Sequence, residues 1–308
     1  METKLSGIHH ITVLASDPKR NLAFYTQVLG QRLVKRTVNF DDPFTYHFYF
    51  GDAIGTPGTL ITFFPFVNAK RGQVGSGEIS RLAYAIPAGQ MGYWQDRLQT
   101  RQIPFTLNTH PLDGQVLTLR DPDGLQIDLL ETSQPPLPAI HWAESDVPAQ
   151  SALSGFLGVS FAANQMAHSI QLLNETFGLA LQNETANTQR LTLPNGSWVE
   201  VVKTSAGRGF SGAGTVHHIA WRTANDQTQQ AWREHLMGLG LHVTPMQDRN
   251  YFHSIYFREP SGVLYEIATD PPGFAIDETP QQLGSALQLP ARYAPYRDEI
   301  TANLPSLD

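Results

Sequence analysis

The 308-residue sequence contains no cysteine. This absence excludes disulfide bonds, thiolate zinc sites, iron–sulfur clusters and cysteine nucleophiles, so any bound metal must be held by His, Asp or Glu. The chain also lacks a run of 18 apolar residues, and its first residues, METKLSGIHH, lack the apolar segment of a signal peptide. We therefore predict a cytoplasmic protein that has no membrane partner.

Basic residues are scarce, since 21 Lys and Arg stand against 28 Asp and Glu, for a formal net charge of −7. A nucleic-acid-binding protein needs a basic face, so we predict no nucleic-acid partner. Hydrophobic residues make up 41% of the chain and charged residues 16%. This composition is typical of a folded protein with a sizeable core, and the length favours two domains over one.

Four segments of the chain repeat one pattern: a short strand, an amphipathic helix, and β-rich sequence with a turn before a last strand. The predicted helices are Asn21 to Leu29, Tyr93 to Thr100, Ser169 to Phe177 and Ala231 to Leu239. One such unit cannot bury its own sheet. The pattern therefore predicts an α+β fold of four βαβββ modules, pairing into two half-open barrels with the helices outside.

A proline-rich stretch, SQPPLPAI at 133–140, lies between the second and third modules and is the best linker candidate. We predict an N-terminal pair of modules at 1–135, a C-terminal pair at 150–270 and a tail at 271–308. The tail does not fit the repeat, and we expect it to pack as loop and short helix without chemistry of its own.

Aligning the modules identifies a candidate metal site. The first residue of each opening strand and the residue four after the turn glycine should point to the barrel centre. These pairs are His10 with Thr62, Leu82 with Asp128, Leu157 with Glu200, and His218 with Glu266. Modules one and four together supply two histidines and one carboxylate, the facial triad of non-haem Fe(II) oxygenases. We interpret the other barrel as structural, with Asp128 and Glu200 as solvated or hydrogen-bonded strand residues.

Each candidate histidine belongs to an HH pair. Neighbouring residues on a strand point to opposite faces, so at most one histidine of a pair should line a given cavity. His10 shares its face with Thr12, whereas His9 shares its face with apolar residues. We therefore predict His10, His218 and Glu266 as ligands. We interpret His47 and five further histidines as surface or packing residues.

Several motifs extend this pattern: GIHHITV at 7–13, TVHHIAW at 215–221 and GVLYEIATD at 262–270. Together with the modules they resemble the vicinal oxygen chelate superfamily, also called the glyoxalase/bleomycin-resistance/dioxygenase group. Longer stretches at 34–52, 55–66, 248–266 and 270–278 are similar to the dioxygenases that open para-hydroquinones. The resemblance covers nearly the whole chain.

The resemblance implies a ring-cleaving dioxygenase that opens a hydroquinone with O2 between carbons 1 and 2. It places the metal, Fe(II) or alternatively Mn(II), on His10, His218 and Glu266. It further implies that Thr12, His217, Arg249 and Tyr256 surround the hydroxyls of a small aromatic substrate. The oligomeric state stays open, and a homo-oligomer is compatible with the sequence.

Three alternatives remain. An extradiol dioxygenase could use the same three ligands on catechols. A glyoxalase-type isomerase or thiol transferase is disfavoured, because Thr62 stands where such enzymes have a fourth ligand. A metal-free binder like the bleomycin-resistance proteins would need no triad.

Overall fold

Residues 5–138 and 140–307 are described by a computed structural model. Each of the four modules contributes four strands and one helix. Module one contains β1 (Ile8–Ala15), α1 (Pro18–Ala23), β2 (Arg32–Asn39), β3 (Asp42–Gly51) and β4 (Leu60–Pro65). Module two contains β5 (Ile79–Pro87), α2 (Met91–Thr100), β6 (Phe105–His110), β7 (Gly114–Arg120) and β8 (Gln126–Thr132).

Modules three and four repeat this order. Module three contains β9 (Phe156–Ala163), α3 (Met166–Gln171), β10 (Ala180–Glu184), β11 (Thr188–Thr192) and β12 (Trp198–Lys203). Module four contains β13 (Val216–Thr223), α4 (Asp226–Gly238), β14 (Gln247–Asp248), β15 (Phe252–Arg258) and β16 (Leu264–Pro272), and α5 (Arg297–Asn303) lies in the tail. The predicted α+β fold of four βαβββ modules is confirmed.

The strands form two curled eight-stranded sheets, each from two modules. The first sheet has the order β14-β15-β16-β13-β1-β4-β3-β2, and the second has the order β10-β11-β12-β9-β5-β8-β7-β6. Module one thus pairs with module four, through antiparallel β1 and β13, and module two pairs with module three, through β5 and β9. Each sheet therefore takes one module from either side of the stretch at 133–140.

The helices begin earlier than the apolar periodicity predicts. Helix α1 begins at Pro18, where the Asp17 side chain accepts a hydrogen bond from the Arg20 amide. Helix α4 begins at Asp226, after a capping box between Asn225 and Thr228. Both first turns are polar and carry capping signals rather than apolar residues, so the hydrophobic pattern alone places their starts too late.

Both sheets share one core, in which large aromatic side chains join the helices to the strands. Tyr25, in the π-helical turn that continues α1, packs on Phe63 of β4 with ring centroids 4.5 Å apart. Phe177, from module three, contacts Trp232 of α4 at 5.4 Å and Trp221 of β13 at 5.8 Å. The helix region of module three, which belongs to the second sheet, thus packs against module four of the first sheet. This contact fixes the relative position of the two sheets.

The C-terminal tail packs along module one. The Arg32 side chain donates hydrogen bonds to the backbone carbonyls of residues 280, 281 and 283. Buried Lys35 forms an ion pair with Asp277 at 2.6 Å. The Tyr293 hydroxyl donates to the Phe40 carbonyl at 2.8 Å. The tail packs as loop and short helix, as expected, and it supports the β2–β3 turn.

In the part of the chain that the structure describes, no helix is long and apolar enough to cross a membrane.

Candidate metal centre

The three predicted ligands meet on three adjacent strands of the first sheet. His10 lies on β1, His218 on β13 and Glu266 on β16. The Nε2 atoms of the two histidines are 3.2 Å apart. Glu266 Oε2 lies 2.9 Å from His218 Nε2 and 3.6 Å from His10 Nε2. All three side chains are buried, and we call them the ligand cluster.

The ligand cluster has the donor set that a divalent metal requires. Two imidazole nitrogens and one carboxylate oxygen converge within 4.8 Å, and no other such group of three occurs within residues 5–138 and 140–307. No hydrogen bond of good geometry reaches buried Glu266 Oε2, which faces the Nε2 atoms of both histidines, while Oε1 accepts a hydrogen bond from Ser254. A buried carboxylate oxygen without such a bond lowers the stability of the folded protein unless a cation binds it. The residues present therefore fit a metal ion, with coordination positions left open.

The electrostatics of the ligand cluster favour metal-binding protonation states. Burial by itself raises the pKa of Glu266, but the neighbouring His10 and His218 rings outweigh it and hold that pKa well below its usual range. Burial lowers the pKa of His218 despite the opposing effect of Glu266. The carboxylate is thus ionised and the His218 ring neutral, which are the forms that bind metals.

The first histidine of each HH pair is the extra residue of a β-bulge. Between β1 and β13, Ile8 pairs with Trp221 and His10 with Ala220, which leaves His9 unpaired. The same register gives Thr12 opposite His218 and Val13 opposite Val216, which leaves His217 unpaired. A bulge re-aims the side chain that it carries.

The bulges bring each pair of rings together. His9 Nδ1 lies 2.9 Å from His10 Nδ1, and His217 Nδ1 lies 2.8 Å from His218 Nδ1. The Nε2 atoms of His10 and His218 face the ligand cluster, so their Nδ1–H groups donate to the preceding histidine when a metal is bound. Such a contact fixes the tautomer and orientation of a metal ligand.

His217 also lines the cavity beside His218. The prediction that only one histidine of an HH pair lines a cavity is therefore wrong for this pair. Simple alternation fails here because the bulge interrupts the strand. Partial desolvation in the cavity, with His218 next to it, lowers the pKa of His217, whose side chain keeps an exposed surface.

A cavity of about 270 Å³ opens onto the ligand cluster. Aromatic rings form much of its wall: Phe40, Tyr49, Phe64, Phe66, Phe252 and Tyr256. The four further predicted site residues, Thr12, His217, Arg249 and Tyr256, all line it. The structure thus brings all seven predicted site residues together.

Arg249 and Tyr256 form a polar pair at the cavity wall. Arg249 Nε donates to the Tyr256 hydroxyl at 3.1 Å, and the guanidinium lies 5.2 Å from the centre of the Tyr256 ring. Burial and the Glu266 charge raise the pKa of Tyr256. The phenol therefore keeps its proton, and the arginine beside it supplies positive charge.

His47 is a site residue that the sequence does not reveal. It was predicted to be a surface or packing residue, but it is only 7% exposed and lines the cavity. Burial lowers its pKa well below the usual value. Its strand, β3, has no counterpart among the aligned opening and closing strands, so the repeat gives no signal for it. The shared face of His47 and Tyr49, two residues apart on β3, was the one available hint.

Thr62 occupies the position of a fourth ligand without joining the ligand cluster. Its hydroxyl lies 2.8 Å from the Thr12 hydroxyl and 3.0 Å from His47 Nε2. This threonine is fully buried and satisfied by hydrogen bonds inside the wall.

In the second sheet, arginines pair with the carboxylates at the corresponding positions. Arg190 lies 2.8 Å from Glu200 and 2.5 Å from Asp113. Arg81 lies 2.5 Å from Asp128. The interpretation of Asp128 and Glu200 as hydrogen-bonded strand residues is confirmed.

Comparison with known proteins agrees with this geometry. A family model for the Glyoxalase/Bleomycin resistance protein/Dioxygenase superfamily matches residues 7–129 and 155–267. The chain belongs to this superfamily. The two matches each cover two modules and include His10, His218 and Glu266.

Superfamily relatives match the chain over almost its full length. A Bacillus subtilis protein named "Putative ring-cleaving dioxygenase MhqO" is 42% identical over 99% of this chain and 97% of its own length. The Sphingobium indicum chlorohydroquinone/hydroquinone 1,2-dioxygenase is 32% identical over 96% of this chain and 95% of its own length.

Solved structures show the same fold. A crystal structure from Bacillus subtilis, titled a "putative dioxygenase", superposes with a TM-score of 0.95 at 41% identity, covering 100% of this chain and 99% of that one. Glyoxalase I from Zea mays superposes with a TM-score of 0.62 at 15% identity, covering 86% of this chain and 92% of that one, and so shares the superfamily fold.

Proposed function

We propose that the protein is a non-haem Fe(II) dioxygenase that opens the ring of a 1,4-dihydroxybenzene with O2 between carbons 1 and 2. The observation that carries this proposal is the ligand cluster of His10, His218 and Glu266 at the base of an aromatic-walled cavity. The Sphingobium relative's name supports the substrate class. Unsubstituted hydroquinone would give 4-hydroxymuconic semialdehyde, which contains both atoms of O2.

The proposed metal would be held by His10 Nε2, His218 Nε2 and Glu266 Oε2. Bound there, Fe(II), or Mn(II) with the same ligands, would give the substrate and O2 one common centre for electron transfer.

The cavity suits a single aromatic ring. Its volume of about 270 Å³ exceeds the roughly 150 Å³ that accepts benzene in an engineered protein cavity. Phe64 and Phe252 offer apolar surface to a ring, and Thr12, His217 and Tyr256 offer polar groups in the same cavity. A wall with both kinds of surface suits a phenolic ring, whose oxygen would bind at the proposed metal.

The chain's own polar groups have distinct roles in this proposal. Arg249 stabilises negative charge that develops on substrate oxygen. Tyr256, whose phenol stays protonated, donates a hydrogen bond to the oxygen of substrate or product. His217 Nδ1 accepts a hydrogen bond from His218, so the ring proton of His217 lies on Nε2. This Nε2–H group donates a hydrogen bond to the substrate in the cavity.

Oxygen uptake tests the proposed function. The protein is reconstituted anaerobically with Fe(II) and mixed with oxygenated hydroquinone, methylhydroquinone, chlorinated hydroquinones or catechols. We expect uptake with hydroquinones and incorporation of both atoms of ¹⁸O2 into the product. Turnover of catechols alone would instead identify an extradiol catechol dioxygenase, and iron binding without any uptake would contradict both.

A matched pair of variants tests the ligand assignment. His218→Ala should abolish iron binding and oxygen uptake together. His235→Ala, on the exposed side of α4, should leave both unchanged. Uptake retained by His218→Ala would overturn the assignment.

A further inference from the structure

Four hydrogen-bonding side chains form a continuous line in the cavity wall. The Tyr49 hydroxyl lies 3.0 Å from His47 Nδ1, and His47 Nε2 lies 3.0 Å from the Thr62 hydroxyl. The Thr62 hydroxyl lies 2.8 Å from that of Thr12. The four residues come from adjacent strands β3, β4 and β1, and three of them are fully buried. We call them the wall relay.

The wall relay has a direction, which the tyrosine sets. Tyr49 is 0% exposed, and His47 Nδ1 is the hydrogen-bond partner of its hydroxyl in the described chain. A buried phenol needs an acceptor for its hydrogen. His47 Nδ1 therefore accepts, and the ring proton sits on Nε2. A proton on Nδ1 would leave the Tyr49 hydrogen without a protein acceptor, since the described residues give its hydroxyl no other hydrogen bond.

The direction then passes to Thr12. His47 Nε2–H donates to Thr62, so the Thr62 hydroxyl hydrogen is free to donate to Thr12. The Thr12 oxygen accepts this bond, and its own hydrogen is left for the cavity, which Thr12 lines two residues after His10. The opposite direction would present an oxygen lone pair to the cavity instead.

We propose that Tyr49, His47 and Thr62 are positioning residues that hold Thr12 as a hydrogen-bond donor to the anionic oxygen of the substrate. This inference rests on the proposed function, because a phenolate substrate is what makes the direction of the relay matter. A donor from Thr12 stabilises the phenolate, whereas a lone pair would repel it.

Isosteric variants test the relay. Tyr49→Phe and Thr62→Val each remove one hydroxyl of the wall relay. Each should lower kcat/KM about ten- to a hundredfold, because Thr12 then loses its orientation as a donor and with it one hydrogen bond to the charged substrate oxygen. Iron content should not change. Thr62→Ser keeps the hydroxyl and should restore activity to within about twofold of wild type. Tyr25→Phe is the matched control, since Tyr25 is equally buried but its hydroxyl contacts Asp121.

A double-mutant cycle separates positioning from general loss of structure. Since Tyr49 acts through Thr12, Tyr49→Phe should have little further effect on kcat/KM in a Thr12→Val background. A structural defect would instead lower activity by the same factor in both backgrounds. Equal factors in the two backgrounds, or full activity of both Tyr49→Phe and Thr62→Val, would overturn the proposal.

The tautomer of His47 can be measured without an activity assay. ¹⁵N-histidine NMR of the Zn(II)-substituted and metal-free proteins, with the signal assigned by His47→Gln, should show the proton on Nε2. Tyr49→Phe should increase the Nδ1–H form. A proton on Nδ1 in the wild type would overturn the relay. Absence of ring cleavage by iron-loaded wild type would overturn the proposed function alone, because the NMR result does not depend on it.

Discussion

At the scale of single residues, His9 and His217 show how one extra residue changes what a strand offers a site. In a regular strand each would lie on the face opposite its neighbouring ligand. As bulge residues they contact the rings of His10 and His218 instead, at 2.9 and 2.8 Å. The HH motif thus provides a ligand together with the acceptor that fixes its tautomer.

Glu266 supplies the negative charge of the ligand cluster. Glu266→Gln keeps the size of the side chain and a hydrogen-bonding group toward Ser254, but it removes the charge that attracts a divalent cation. We expect the affinity for Fe(II) to fall by more than about a hundredfold, measured by metal analysis after dialysis. Glu234→Gln, on the exposed side of α4, is the control. Equal iron content in both variants would contradict the assignment.

Buried His47 should make the protein sensitive to acid. Its pKa is lowered well below 6.5 by burial, so between pH 6.5 and that lowered value the unfolded chain binds more protons than the folded one. The free energy of unfolding therefore falls as the pH falls. From pH 7 to 5 a histidine that stays neutral in the folded protein contributes up to about 2 kcal/mol.

Urea denaturation of the metal-free protein at pH 7 and 5 measures this effect. The His47→Gln variant should lose less than wild type over that interval, by up to about 2 kcal/mol. His235→Gln, with an exposed side chain, should lose as much as wild type. Identical losses in His47→Gln and wild type would show that the pKa of His47 is the same in the folded and the unfolded protein.

At the scale of elements, the modules share strand order but begin their helices differently. Helix α4 has a complete capping box, whereas α2 begins after Gln90 without a side-chain cap. Helices α1 and α3 each continue into a π-helical turn, Phe24–Val28 and Leu172–Thr176. The four modules therefore share their pattern of buried residues, whereas the ends of each helix are determined by the polar residues next to them.

The Asn225 cap gives a prediction for α4. Asn225→Ala removes the acceptor for the Thr228 amide, a 3.0 Å hydrogen bond, and should lower the free energy of unfolding by about 1 kcal/mol. Asn225→Ser should recover most of that loss. Chemical denaturation provides the measurement. A loss from Asn225→Ser as large as that from Asn225→Ala would show that the cap does not stabilise the helix.

At the scale of the whole molecule, the two sheets use corresponding positions for different purposes. The first sheet carries the ligand cluster. The second sheet carries Arg81 and Arg190, paired with Asp113, Asp128 and Glu200. These buried charges satisfy one another, so this network serves the fold.

Arg190→Leu tests the structural role of that network. It leaves Asp113 and Glu200 buried with fewer partners, and it should lower the free energy of unfolding by about 3–5 kcal/mol. Iron content per folded protein should not change, since the ligand cluster lies in the other sheet. Arg120→Leu, an exposed position on β7, should cost less than about 1 kcal/mol. Loss of iron by folded Arg190→Leu would show that the two sheets are coupled.

The sequence predicts those parts of the molecule that depend on repetition. The ligand cluster is predictable because His10, His218 and Glu266 occupy equivalent places in modules one and four. His47 is not, because its role depends on contacts between β3, β4 and β1 that no single segment encodes. The β-bulges at His9 and His217 also escape prediction, since a bulge is a property of two paired strands rather than of one.

The pairing of module one with module four has a consequence for biosynthesis. Glu266 follows His10 by 256 residues, and at a ribosomal rate of roughly 5–20 residues per second roughly 13 to 51 s separate them. During that interval β1 lacks its neighbour β13, and its edge is open to other chains. We therefore expect nascent chains to depend on protection of this edge, and metal loading to follow the synthesis of module four.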